Sequence, residues 1–268
     1  METAGIATFE TITINDDETV LDAITLMAEN GIRRLPVLNP QGLVSGIVTA
    51  KDILKVLGYN PLKKALSMPV SKIMTPDPLV IDARASVQEA VDKMARYNVG
   101  SLLVVIDEQG TFGGIVTERD IVRHFAEALA DADLAEFITR NVITVTADEN
   151  VHESIKIMTE NSIRRLIISP DKKKIEAIVT ATDIIRYIYN NSETLLKGET
   201  SLYKIPIIEL ATKDVITADI NSSVKEVVKI MIEKNIGALP ITENNELAGI
   251  FTERDLVRMI SIYNLLPD

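Results

Sequence analysis

The sequence contains no cysteine and only two histidines, His124 and His152, among its 268 residues. The absence of cysteine excludes disulfide bonds, thiolate metal sites and cysteine nucleophiles. We expect both histidines at the surface or at the rim of a site, and two are too few for a histidine-rich metal centre. The sequence therefore predicts no bound metal.

Positive charge and long apolar runs are also scarce. The formal net charge is -11 and the isoelectric point is about 4.8, which disfavours nonspecific binding to nucleic acids or anionic membranes. No apolar run approaches the ~20 residues of a membrane span, and the first residues, METAGIATFETITINDDE, lack the pattern of a signal peptide. We therefore expect a cytoplasmic protein without a nucleic-acid or membrane partner.

Sequence signatures of catalysis are missing as well. We find no P-loop, no dinucleotide-binding GxGxxG, no nucleophile elbow and no cluster of metal ligands. Nearly the whole chain is taken up by the repeats described next, which leaves no separate catalytic domain. The sequence predicts no catalytic residues, no catalytic cofactor and no enzymatic activity.

A segment of about 50 residues occurs four times along the chain. Each copy ends in a Thr-x-x-Asp motif, as in GGIVTERDIVRHF and AGIFTERDLVRMI. The four repeats span 8–57, 71–126, 137–189 and 207–262. Each has a methionine at about the same distance before its threonine, and helical spacing predicts that these side chains lie in the core: Met27, Met94, Met158 and Met231.

Each repeat has the predicted order β-α-β-β-α, which makes the fold class α/β (α+β). A short first strand (TITI, PLVI, VITV or VITA) precedes a helix that begins at a capping pair and ends at Gly31, Asn98, Ser162 or Asn235. Repeats 1 and 3 share IRRL and TAxD, whereas repeats 2 and 4 share a glycine and TERD. This alternation predicts a duplicated pair of repeats, with modules at 1–130 and 131–268. GYNPLKKALSMP and NNSETLLKGETSLYKIP are interpreted as linkers.

Four β-α-β-β-α repeats with GIVTxxD-like motifs in register resemble CBS domains, and a tandem pair of CBS domains is called a Bateman module. The resemblance covers nearly the whole chain. It implies two modules with pseudo-twofold symmetry and a layout similar to the nucleotide-sensing γ subunit of AMP-activated kinase. It also implies a regulatory protein that binds adenosine compounds, such as AMP, ADP, ATP or S-adenosylmethionine, in clefts between paired repeats.

The Thr-x-x-Asp motifs have two interpretations. Threonine at the N-cap and a carboxylate three residues later form a capping box, which stabilises a helix by about 1 kcal/mol. Alternatively, a carboxylate can accept hydrogen bonds from both hydroxyls of a ribose, and a helix N-terminus favours negative charge. The resemblance assigns this aspartate to ribose binding. The candidate ribose residues are Thr49 and Asp52, Thr117 and Asp120, Thr180 and Asp183, and Thr252 and Asp255.

Two sets of arginines are candidate phosphate ligands. Arg33, Arg34, Arg164 and Arg165 begin a strand in repeats 1 and 3, where the resemblance implies phosphate contacts. Repeats 2 and 4 have Gly100-Ser101 and Gly237-Ala238 at these positions, and their candidates are Arg119 and Arg254 of TERD. An arginine near a helix N-terminus opposes the helix dipole, which indicates another role. Ion pairing with Glu118 or Glu253 is the alternative.

The first strands supply candidate contacts for the adenine base: Ile12, Leu79, Ile143 and Ile216. We expect a non-catalytic sensor of AMP, ADP or ATP that acts on a protein target of unknown identity. Alternatives are a sensor of S-adenosylmethionine or another adenosyl ligand, and a dimerisation or scaffold module with empty clefts. The sequence leaves open whether two chains form a homodimer.

Overall fold

The structure, a computed structural model, describes residues 1–126, 132–198 and 201–263. All four repeats fold in the predicted order β-α-β-β-α, which confirms the α/β class. Repeat 1 comprises β1 (Ile14–Asn15), α1 (Val20–Asn30), β2 (Arg34–Leu38), β3 (Val44–Thr49) and α2 (Ala50–Tyr59). A short helix α3 (Leu62–Leu66) and strand β4 (Thr75–Pro76) follow. Repeat 2 comprises β5 (Val80–Asp82), α4 (Val87–Tyr97), β6 (Ser101–Val105), β7 (Phe112–Thr117) and α5 (Glu118–Phe125).

The second half of the chain has the same elements. Repeat 3 comprises β8 (Thr144–Val145), α6 (Val151–Glu160), β9 (Arg165–Ile168), β10 (Ala177–Thr180) and α7 (Ala181–Asn190). Helix α8 (Ser192–Lys197) follows. Repeat 4 comprises β11 (Ala218–Asp219), α9 (Val224–Glu233), β12 (Ala238–Glu243), β13 (Glu246–Thr252) and α10 (Glu253–Tyr263). The predicted boundary between modules, at 130/131, lies outside the described residues.

Each repeat forms its own small sheet, in which the first strand runs parallel to the second and the second antiparallel to the third. The first strands are displaced from their predicted positions. In repeat 1 the expected strand is TITI, but only Ile14 and Asn15 pair, with Val37 and Leu38. The sequence prediction places the first strands too early, because β-propensity says nothing about where a partner strand begins.

The caps of the first helices form as the sequence predicts. Thr19 and Asp22 form a reciprocal capping box on α1, and Ser223 and Glu226 form one on α9. Ser86 and Asn150 accept hydrogen bonds from backbone N–H groups on α4 and α6. The residues expected to end these helices all adopt left-handed φ angles: Gly31, Asn98, Ser162 and Asn235.

The two predicted linkers contain structure of their own. Helices α3 and α8 form there and contact each other, and they bury Ala65, Leu66 and Leu195. The segments that connect the repeats are therefore part of the packed fold at residues 62–66 and 192–197.

The first residues of each repeat pair with the third strand of another repeat. Thr75 of β4, before β5 in repeat 2, pairs with Ile47 in β3, and Thr8, before β1 in repeat 1, forms a bridge with Ile115 in β7. Thr212 in repeat 4 and Thr139 in repeat 3 form bridges with Ile178 and Ile250 in the same way. The exchange is thus reciprocal between repeats 1 and 2 and between repeats 3 and 4.

The chain divides into two compact units. Unit 1 consists of Met1–Thr11, Leu79–Val142 and Ile216–Asp268, and unit 2 consists of Ile12–Pro78 and Ile143–Val215. Unit 1 therefore contains the elements of repeats 2 and 4, with α4 packed on α10. Unit 2 contains those of repeats 1 and 3, with α2 packed on α6 and α1 on α7. The predicted modules at 1–130 and 131–268 remain a prediction.

Each unit has its own apolar core. Met27 and Met158 lie in the core of unit 2 and Met94 and Met231 in that of unit 1, all nearly inaccessible to solvent, which confirms their predicted burial. His152 is a correction, because the expectation places it at the surface or rim whereas it is buried in unit 2 against the ring of Tyr203. Burial and, second, the positive charge of Lys156 lower its pKa. His124 is exposed, as expected.

Candidate functional site

All four Thr-x-x-Asp motifs lie where the third strand of a repeat ends and the last helix begins. In each, the threonine N–H donates to Oδ2 of the aspartate at 2.8–2.9 Å. The threonine hydroxyl donates to the same oxygen at 2.6–2.7 Å. The capping interpretation of these motifs is therefore correct as far as Oδ2 is concerned.

The second carboxylate oxygen has a different environment. Within the described residues, Oδ1 of Asp52, Asp120 and Asp183 accepts no hydrogen bond, whereas Asp255 has a further contact. A carboxylate offers about four lone-pair positions, and the cap uses two of them. Burial, opposed by the bonds from Thr49, raises the pKa of Asp52. Capping thus leaves one oxygen of these half-buried carboxylates able to accept hydrogen bonds from a ligand.

The cap geometry by itself does not identify a ligand site. Thr19 and Asp22 on α1 make the same bonds, at 2.8 Å from the N–H and 2.6 Å from the hydroxyl. Asp22 lies in the same unit as Asp52. It is therefore a matched reference for what capping alone contributes.

In unit 2, arginines lie directly across the sheet from the threonines. Arg34 pairs with Thr49 in the ladder of β2 and β3, and Arg165 pairs with Thr180 in the ladder of β9 and β10. Residues opposite each other in an antiparallel ladder extend their side chains from the same face. Arg33 and Arg164 lie one residue earlier, and their carbonyls accept the N–H groups of Ala50 and Ala181. Both arginines of each pair are half-buried and have contacts of their own.

In unit 1, the TERD arginines bind carboxylates that belong to the other repeat of the unit. Arg119 Nε donates to Glu253 Oε1 at 2.7 Å, and Arg254 Nε donates to Glu118 Oε1 at 2.8 Å. Ion pairing is thus observed, but each arginine crosses to the partner repeat instead of pairing with its sequence neighbour. The two glutamates are buried, with side-chain exposures of 4% for Glu253 and 2% for Glu118.

Asparagines and further arginines surround this crossed pair. Asn235 Oδ1 accepts from Arg119 and from Arg123, and Asn98 Oδ1 accepts from Arg254 and from Arg258. Sequence reasoning missed this network of asparagines and second arginines. The sequence signal was the occurrence of TERD in repeats 2 and 4 only, together with asparagine at the ends of α4 and before β12.

Glycine makes room for the crossed pair. A Cβ on Gly237 would lie 2.8 Å from Glu253 Oε2 and 3.2 Å from Arg119 Nη2. Gly237 is also hydrogen-bonded to Glu253 through its carbonyl, as Gly100 is to Glu118. A side chain at this position would therefore displace the ion pair.

The candidate base contacts are distributed over both units. Ile12 and Ile143 pack at the edge of the core of unit 2, and Leu79 packs at the edge of the core of unit 1. Ile216 is exposed. Their contact with an adenine base stays a prediction.

Within residues 1–126, 132–198 and 201–263, the acidic and histidine side chains form no cluster of three or more that could hold a metal ion. None of the helices in these ranges combines the length and the apolar character needed to cross a membrane.

Comparisons with known proteins agree with this architecture. The CBS domain family matches residues 5–59, 70–127, 134–190 and 207–262. The protein MJ1225 of Methanocaldococcus jannaschii is 30% identical over 267 residues, which cover 92% of this chain and 94% of that protein. A 33.4 kDa protein encoded in a ribosomal RNA operon of Thermofilum pendens is 28% identical over 253 residues, covering 89% and 84%.

The fold is also similar to solved structures. The crystal structure of MJ1225, described as that of a candidate archaeal homologue of g-AMPK, superposes with a TM-score of 0.89 at 28% identity, over 97% of this chain and all of that one. A conserved protein from Pyrococcus horikoshii superposes with a TM-score of 0.65 at 23% identity over the same share of both chains and supports the fold alone. With four family matches over most of its length, the chain belongs to the CBS domain family.

Proposed function

We propose that this chain is a non-catalytic regulatory protein that binds adenine nucleotides, AMP, ADP or ATP, at the Thr-x-x-Asp motifs of its CBS repeats. A cytoplasmic protein target reads the ligand-bound state, because the affinity of a ligand for one conformation shifts the population towards it. The similarity to MJ1225, a candidate homologue of g-AMPK, supports this direction.

The observation that carries the proposal is that the two carboxylate oxygens of each aspartate have different roles. Oδ2 of Asp52 and Asp183 caps the helix, and within the described residues Oδ1 accepts no hydrogen bond. Two lone pairs on one oxygen suffice for the two adjacent hydroxyls of a ribose. Binding of the sugar therefore does not require the helix to give up its cap.

Phosphate would be bound by the arginines of repeats 1 and 3. Because Arg34 is opposite Thr49 and Arg165 is opposite Thr180, each basic side chain lies on the strand next to the one that leads into the sugar-binding carboxylate. Charge-assisted hydrogen bonds from guanidinium to phosphate are about twice as strong as neutral ones. This arrangement favours a nucleotide over S-adenosylmethionine, which carries no phosphate.

A ligand series tests the proposal. The melting temperature of the wild-type chain is measured with AMP, ADP, ATP, adenosine, S-adenosylmethionine and NAD. A ligand at a hundredfold excess over its dissociation constant stabilises the folded state by about 2.7 kcal/mol, so AMP, ADP or ATP should raise the melting temperature clearly. A stronger response to S-adenosylmethionine would favour the alternative ligand class, and no response to any compound would favour a scaffold.

Substitution of the aspartates separates binding from capping. We expect Asp52→Ala together with Asp183→Ala to reduce the response to AMP strongly, because the Oδ1 acceptors of repeats 1 and 3, the repeats with the arginine pairs, are lost. Asp22→Ala removes the same cap from α1 and should cost the same ~1 kcal/mol as each of the other substitutions. Loss of the AMP response in Asp22→Ala as well would show that the binding defect is a consequence of destabilisation.

A further inference from the structure

We propose that Glu118 and Glu253 determine specificity, because they occupy Arg119 and Arg254 and thereby exclude phosphate from repeats 2 and 4. Phosphate-bearing ligands then bind at repeats 1 and 3 only. This inference rests on the proposed function and adds that unit 2, with repeats 1 and 3, binds the phosphate of the ligand.

Each TERD arginine in the crossed ion pairs donates hydrogen bonds to a glutamate and to an asparagine. Nε of Arg119 donates to Glu253 and its Nη1 donates to Asn235. Arg254 repeats this arrangement with Glu118 and Asn98. A phosphate that recruited Arg119 would have to break its 2.7 Å ion pair with Glu253, whose side chain is buried. Breaking a buried ion pair is strongly unfavourable, so the glutamate competes effectively with the incoming anion.

Each repeat has a charged residue at one of two positions that are hydrogen-bonded to each other, and the choice of position alternates between repeats. The first position begins the second strand and the second begins the last helix, and a backbone hydrogen bond of 2.8–3.2 Å joins them in every repeat. Repeats 1 and 3 have arginine and alanine at these positions, whereas repeats 2 and 4 have glycine and glutamate. The pairs are Arg33 with Ala50, Gly100 with Glu118, Arg164 with Ala181, and Gly237 with Glu253.

The alternation has a steric component. Because a Cβ at position 237 would come within 2.8 Å of Glu253 Oε2, a larger residue there requires the buried carboxylate of Glu253 to move away from its present position. Each repeat carries either the basic or the acidic version. The choice follows the units: basic in unit 2 and acidic in unit 1.

The charge around the motifs differs accordingly. At corresponding positions unit 2 has seven basic residues and two acidic ones: Arg33, Arg34, Lys51, Lys55, Arg164, Arg165 and Arg186 against Asp52 and Asp183. Unit 1 has four of each: Arg119, Arg123, Arg254 and Arg258 against Glu118, Asp120, Glu253 and Asp255. In a chain with a net charge of -11, the local excess of positive charge in unit 2 is what attracts an anion.

The test compares AMP with adenosine, which lacks the phosphate, by isothermal titration. We expect the wild-type chain to bind AMP at least about tenfold more tightly than adenosine, because charge-assisted bonds add to the sugar contacts. The variant Asp52→Ala with Asp183→Ala retains only repeats 2 and 4. It should bind AMP no better than adenosine. If this variant keeps the wild-type preference for AMP, the inference is overturned.

A second variant tests the glutamates directly. In the background of Asp52→Ala with Asp183→Ala, the further substitutions Glu118→Ala and Glu253→Ala give repeats 2 and 4 the alanine of repeats 1 and 3 and release the two arginines. We expect AMP affinity to rise about tenfold while adenosine affinity stays the same. An unchanged AMP affinity in a chain with an intact circular-dichroism melt contradicts the inference. Should the quadruple variant not fold, the comparison in the double variant still decides.

The failure of this inference differs from that of the proposed function. A wild-type chain that binds no adenosine compound overturns the proposed function. A wild-type chain that binds AMP equally well through both halves overturns only the assignment of phosphate to repeats 1 and 3.

Discussion

Unit 1 and unit 2 are built from the same elements, but they differ in the charged residues at the start of the last helix of each repeat. In unit 1 the buried carboxylates of Glu118 and Glu253 are neutralised by Arg254 and Arg119 within the fold. In unit 2 alanine replaces the glutamates, and arginine takes the place of Gly100 and Gly237. The TERD arginines of unit 1 pair with carboxylates of the same unit, whereas unit 2 has more basic than acidic residues around its capping aspartates.

If the proposed function holds, this difference separates stability from binding within a duplicated fold. A buried, paired charge is costly to disturb, so it suits a permanent contact inside a unit. An excess of one sign is unfavourable in the absence of a counter-ion, so it suits a site whose ligand brings the opposite charge. We therefore expect substitutions in unit 1 to reduce mainly stability and those in unit 2 to reduce mainly binding.

The largest effect on stability is expected for Arg119→Ala. It breaks the 2.7 Å ion pair of the buried Glu253, and breaking such a pair typically costs about 3 kcal/mol or more. The free energy of unfolding, measured by denaturant titration, should fall by that amount. The double variant Arg119→Ala with Glu253→Ala should recover part of the loss, because the buried carboxylate is then removed as well.

Arg84→Ala is the control for Arg119→Ala. Arg84 pairs with Asp82 in the same unit, but both side chains are exposed, and such surface pairs contribute little. We expect almost no change in stability from this substitution. If Arg119→Ala were equally harmless, the crossed pairs would not hold unit 1 together.

A smaller loss is expected for Gly237→Ala. The new methyl group would lie 2.8 Å from Glu253 Oε2, so the buried carboxylate must move, and overpacking of this kind costs about 2 kcal/mol. Gly5→Ala in the same unit is the control, because its Cβ would meet only Met1 at 3.7 Å. Equal melting temperatures for the two variants would contradict the steric conflict between positions 237 and 253.

The smallest effect concerns His152 in unit 2. Its pKa is lowered from 6.5 by burial, so the folded chain binds fewer protons here than the unfolded chain. The stability associated with the neutral imidazole is present above pH 6.5 and is lost as the pH falls from there through the folded pKa. Unfolding titrations between pH 7.5 and 5, run at about half-unit steps, should show a steeper loss for the wild type than for His152→Gln. Parallel curves would mean that His152 is not the group responsible.

Features with a local cause could be predicted from the sequence. The fourfold register, the capping boxes and the burial of Met27 and Met158 depend on residues a few positions apart, and the structure confirms them. The left-handed conformation at Ser162 follows from its place at the end of the helix, although serine is less suited to it than glycine.

Features that depend on residues far apart in the sequence could not be predicted from it. Arg119 and Glu253 are 134 positions apart, and nothing in either TERD motif indicates that the arginines cross between repeats. The burial of His152 likewise requires Tyr203, which follows it by about fifty residues in a segment interpreted as a linker. The association of repeats 1 and 3 in one unit depends on helix surfaces whose partners a single sequence does not reveal.

The most direct test of the account is a crystal structure of the chain with AMP. The account predicts that Oδ1 of Asp52 and of Asp183 lies within hydrogen-bond distance of the ribose hydroxyls, while Oδ2 still accepts from Thr49 and Thr180. It also predicts that Arg119 and Arg254 remain on Glu253 and Glu118. If well-diffracting crystals grown at saturating AMP contain no nucleotide at either aspartate, or if the phosphate lies on Arg119 or Arg254, the account is contradicted.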